Sequence, residues 1–76
     1  MTSTITAAVA ANVRVHMQHT GFRQTHLANQ IGISRSGLID KYHGKTPFTV
    51  ENLVLIARAL EVPVADLLVN TDKAVS

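Results

Sequence analysis

The stretch LANQIGISRSGLIDKYHGK, Leu27 to Lys45, decides how this chain folds. Apolar residues recur at helical spacing through Leu27, Ala28 and Ile31, then Gly32 breaks the rhythm. Glycine has no Cβ and takes the left-handed conformation that a tight turn demands. Ser34 is a good N-cap for a following helix, predicted at about Arg35 to His43 and ended by Gly44. Two short helices joined only by Gly32-Ile33-Ser34 have no room to lie antiparallel, so they must cross steeply. In that crossing Leu27, Ile31, Ile33 and Leu38 fill the wedge, and Ala28 is small where the helices touch. The polar run Ser34-Arg35-Ser36-Gly37 is left without a packing role, and Arg35, Ser36, Ile39, Asp40 and His43 are expected to face outward.

Working outward, the same rules predict a helix from about Ile5 to His19, stopped by Gly21 and capped by Ser3 or Thr4. Ile5, Val9, Val13 and Met17 give it one apolar stripe. The second helix runs from about Gln24 to Ile31, with Arg23 a poor residue at its cap position. Pro47 keeps Thr46 out of the helical region, and Thr49 caps a fourth helix. The core face of that helix is Leu53, Ile56, Ala57 and Leu60, with Glu51 in its first turn complementing the helix dipole. Pro63 is placed to open a fifth helix through about Val69, with Leu67 and Leu68 packing back. The expectation is one all-α domain of five helices over residues 1–70, its helix-turn-helix at 24–43, followed by a flexible tail at 71–76.

At 76 residues and 46% apolar, the chain suits one small core and is too apolar for a disordered polymer. It has no cysteine, so disulfides and thiolate chemistry are excluded, and a reducing compartment such as the cytoplasm fits. No apolar run reaches the roughly 18 residues a membrane helix needs. The amino end carries no basic residue before Arg14, unlike the basic start of a secretory signal. The net charge is +2, unevenly spread. Residues 1–50 hold Arg14, Arg23, Arg35, Lys41 and Lys45 against Asp40, and the remainder holds Arg58 and Lys73 against four acids. That asymmetry points one face of the domain at an anionic partner.

Catalysis and metal binding find little support. The chain offers no cysteine nucleophile, no carboxylates paired closely in sequence and no phosphate-cradling glycine loop. His16 and His19 are three apart, but no set of four ligands at zinc spacing accompanies them. No enzyme activity, metal, cofactor or small-molecule substrate is therefore expected, and the many Ser and Thr residues are accounted for by caps and turns.

From Phe22 to Leu68 the chain resembles the phage-repressor and Cro-type (Xre-like) helix-turn-helix domains, whose fold is that of the lambda-repressor DNA-binding domain. The resemblance rests on Gln24, LA at Leu27-Ala28, IGIS at Ile31–Ser34, RSG at Arg35–Gly37 and HGK at His43–Lys45. PFTVENL at Pro47–Leu53 and IARALEVPVADLL at Ile56–Leu68 follow in the same order. The resemblance implies that the third helix reads a DNA major groove. It assigns base readout to Arg35, Ser36, Gly37 and Ile39: the Arg35 fork suits guanine O6 and N7, and Ile39 suits a thymine methyl. Backbone contacts fall to Arg23, Gln24, Ser34, His43 and Lys45, some at helix amino ends that attract anions. Two residues depart from the pattern. Lys41 stands where the family is often apolar, and the Asp40 carboxylate on the reading face repels phosphate but suits cytosine N4 or a local pair with Arg35 or Lys41.

The implied function is a sequence-specific regulator that binds a double-stranded operator, of the phage or prophage repressor or Cro kind. The alternative is an antitoxin-like interaction module in which DNA binding is secondary. A homodimer is also implied, with Leu55, Val64 and Val69 as the candidate apolar strip near the carboxyl end.

Overall fold

The computed structural model describes residues 4–71, and the proposed Ser3 cap and residues 72–76 of the tail lie outside it. Within these described residues four α-helices follow one another: α1 (Thr4–Thr20), α2 (Gln24–Ile31), α3 (Arg35–Tyr42) and α4 (Val50–Leu60). The expected fifth helix is instead a single 3-10 turn, Val64–Leu67, and among the described residues there is no strand.

The termini of these elements follow from local chemistry. The Ser34 hydroxyl oxygen accepts from the Gly37 N–H at 3.0 Å, so one free amide of the first turn of α3 is satisfied. Thr49 and Asn52 form a reciprocal capping box on α4, the Thr49 hydroxyl taking the Asn52 N–H and the Asn52 side chain taking the Thr49 N–H. Arg23 precedes α2 in an extended conformation and makes no side-chain cap, as its residue type implied. Gly32 ends α2 at φ 74°, ψ 31°, and the amides of Gly32 and Ile33 both return to the Ala28 carbonyl.

Packing puts one core between all five elements. Val9, Ala10, Val13 and Met17 of α1 are buried, with Leu27, Ala28 and Ile31 of α2, Leu38 of α3, and Leu53, Ile56, Ala57 and Leu60 of α4. Phe22, Ile33 and Tyr42 pack partly against this cluster. The wedge expected between α2 and α3 is thus filled by the expected residues. Ile5 breaks the expected stripe of α1 at 43% exposure, because the core reaches only as far as Val9.

The 3-10 turn is pinned to α1. The Asn12 side chain of α1 donates to the Leu67 carbonyl at 3.0 Å and to the Val69 carbonyl at 2.8 Å, which ties this segment to α1. Asp66 and Leu68 bond three residues back, and Asn70 turns the chain at φ 66°. Leu67 is fully buried as expected, whereas Leu68 stays 43% exposed instead of packing back. Leu55 also differs from expectation. It is half-buried against the core because α4 faces α1, α2 and the 3-10 turn, a wider arc than one apolar stripe.

Candidate nucleic-acid interface

The amino end of α3 is presented, not buried. Ser34, Arg35 and Ser36 are exposed, while Leu38, the one fully buried residue of α3, anchors the helix from behind. Such an eight-residue helix has little stability alone, so its direction is set by its contacts with α1 and α2. The Ser34 and Ser36 hydroxyl oxygens lie 3.4 Å apart, either able to donate to the other. The Ser34 oxygen accepts from the Gly37 amide, and with Ser36 as the donor of the pair the Ser34 hydrogen is available to an external acceptor.

Gly37 has a role that sequence reasoning did not identify. A Cβ at this position would stand 3.0 Å from the Ser34 hydroxyl oxygen. Glycine therefore lets the cap sit tightly on α3 while also baring the backbone of its first turn. Ile39 and Asp40 are half-buried rather than fully outward, so only part of each side chain meets solvent. Asp40 takes no ion-pair partner among the described residues. The Lys41 ammonium bonds the Pro47 carbonyl at 2.9 Å instead, which gives this departure from the family pattern a structural task.

At the amino end of α2, Arg23 is exposed and Gln24 half-buried. His26 stacks at a tilt on Phe22, ring centroids 4.7 Å apart, and meets the Gln30 amide at 3.2 Å. Beyond α3, His43 and Lys45 are exposed, and the His43 ring stands edge-on to Tyr42 at 5.4 Å. Among the described residues no group of histidines or acids is arranged to hold a metal. No described helix is long and apolar enough to cross a membrane.

Of the basic residues in the first half, two are engaged internally: Lys41 as above, and Arg14, which reaches the Tyr42 carbonyl at 2.7 Å. Arg23, Arg35 and Lys45 are the three left exposed. The dimer candidates divide. Leu55 and Val64 pack partly against the core, and Val69 is 48% exposed beside Leu68.

A family model described as a Cro/C1-type HTH DNA-binding domain matches residues 12–73. The chain is similar in structure to the clp gene regulator ClgR from Corynebacterium glutamicum: 24% identity over 95% of this chain and 94% of that one, TM-score 0.82. It is also similar to the restriction-modification controller protein C.AhdI from Aeromonas hydrophila: 22% identity over 82% of this chain and 94% of that one, TM-score 0.74. A hypothetical transcription factor, NHTF, from Neisseria shares 28% identity over 86% of this chain and 73% of its own, TM-score 0.76. No curated protein matches the chain.

Proposed function

Since the chain belongs to the Cro/C1-type helix-turn-helix DNA-binding family, we propose that it is a sequence-specific transcriptional regulator of the phage or prophage repressor or Cro kind. The observation that carries this reading is the amino end of α3, where a cap, a glycine and an anchoring leucine fix a short helix and leave Arg35 and Ser36 exposed. In the major groove, the Arg35 guanidinium would donate to guanine O6 and N7 together, and Ser36 would bond a base edge or phosphate. Gly37 would let the backbone approach, and the exposed part of Ile39 would meet a thymine methyl.

Backbone contacts would set the register of that readout. Arg23 and Lys45 supply charge, Gln24 and Ser34 supply neutral donors, and His43 lies past the end of α3. Residues 1–70 would act as the DNA-binding unit. Two copies would read half-sites one helical turn apart, roughly 34 Å, with Val69 and the adjoining apolar residues as the pairing surface. Repression would follow from occlusion of a promoter. The test is selection from a random duplex pool with the purified chain. A palindromic consensus with half-sites about 10 base pairs apart supports the reading, and recovery of no enriched sequence overturns it.

A further inference from the structure

The carboxyl end of α3 is held from outside the helix. Tyr42 is the last residue of α3, so its carbonyl belongs to the set that receives no amide from within the helix. The Arg14 guanidinium of α1 donates to that carbonyl at 2.7 Å, and its central carbon stands 5.9 Å from the centroid of the Tyr42 ring. Arg14 is itself half-buried, unlike exposed Arg23, Arg35 and Lys45. Its charge sits at the negative end of the α3 dipole, and a charged donor makes a stronger bond than a neutral one. Lys41 adds a second tie at the same end, through the Pro47 carbonyl.

We infer that Arg14 is a positioning residue for DNA readout, one that fixes the direction of α3 by clamping its carboxyl end to α1. The inference rests on the proposal that α3 reads DNA. An eight-residue helix is about 12 Å long and is anchored near its middle by Leu38. Without Arg14 the far end keeps only the partial packing of Tyr42 and the Lys41 tie, so the helix can tilt about Leu38, and the tilt moves Arg35 at the near end. A bidentate contact with guanine depends on two bonds being aligned at once, so it is more sensitive to such a tilt than a phosphate contact. Arg14 thus contributes to specificity without touching a base.

The experiment compares wild type with Arg14→Met and Arg14→Lys on two probes: a duplex selected by the wild type, and a random-sequence duplex of equal length. The preference for the selected duplex should fall about tenfold in Arg14→Met, within the range of one lost bidentate contact. Affinity for the random duplex and its salt dependence should stay unchanged, and Arg14→Lys should restore part of the preference. In the free protein, the amides of His43, Gly44 and Lys45, bonded to Ile39, Lys41 and Asp40, should exchange faster in Arg14→Met. The Gly37 amide at the capped end should not. An equal loss on both duplexes, with the log-log salt slope shallower by about 0.9, would make Arg14 a phosphate contact and overturn the inference. Preserved preference despite faster exchange would make it a stability residue only and overturn it equally. If Arg14→Met does not fold, Arg14→Gln replaces it with the same expectations and the same overturning results. A wild type that prefers no duplex overturns the DNA reading itself, and is thereby distinct from a wild-type preference that the Arg14 variants leave intact.

Discussion

Replacing Gly32 by alanine isolates the backbone cost of the turn between α2 and α3. Gly32 sits at φ 74°, and a Cβ built there meets no atom within 4 Å, so sterically the site is open. What remains is the left-handed conformation, which costs a residue with a Cβ about 1–2 kcal/mol. Alanine also restricts the unfolded chain, which offsets about 0.4–1 kcal/mol of that cost. At mid-range values the net expectation is a loss of about 0.8 kcal/mol. A domain of this size loses about 4–8 °C in Tm per kcal/mol, so Tm should fall by about 3–6 °C. Total stability near 4–11 kcal/mol, at the usual value per residue, leaves the variant folded at room temperature. Urea and thermal unfolding followed by circular dichroism measure the change, with Gly32→Asn expected to lie between wild type and Gly32→Ala. An alanine variant as stable as wild type would refute the claim that this φ is required. A loss above about 4 kcal/mol would show that packing, not backbone conformation, governs the turn.

Two further outcomes are expected. Glu61 closes α4 at φ 57° although it is not glycine, so Glu61→Gly should raise stability by about 0.5–1 kcal/mol in the same unfolding assay. Lys45→Ala should weaken binding to selected and random duplexes alike and make the log-log salt slope shallower by about 0.9, measured by fluorescence anisotropy across a salt series.

How much of this was legible in the sequence depended on how far each signal had to reach. The turn at Gly32, the Ser34 cap and the bounds of α2 were legible because their causes lie within three or four residues of their effects. Leu27, Ala28, Ile31 and Leu38 were equally legible, since helical spacing alone selects them. The 3-10 turn was not. Its helical pattern is sound locally, and the ties that Asn12 makes to its carbonyls come from 55 and 57 residues away. Arg14 was hidden for the same reason. In the sequence it is one more positive charge in a basic half, whereas in the fold it belongs to the end of a helix 28 residues on. The half-burial of Ile39, Asp40 and Leu55 likewise depends on how many neighbours each helix has, which one helix's periodicity does not encode. Gly37 gave a partial signal: the resemblance places it on the reading surface, but nothing in the sequence marks it as a partner of Ser34.

The assignment of the α3 amino end as the reading surface is tested most directly by Arg35→Ala. Wild type and variant are titrated against the selected duplex and against duplexes substituted at each base pair in turn. If Arg35 reads a base, wild type loses about 1–3 kcal/mol when that pair is changed, and the variant binds both duplexes alike there. If the variant keeps the wild-type preference at every position, Arg35 reads no base, and the assignment is contradicted.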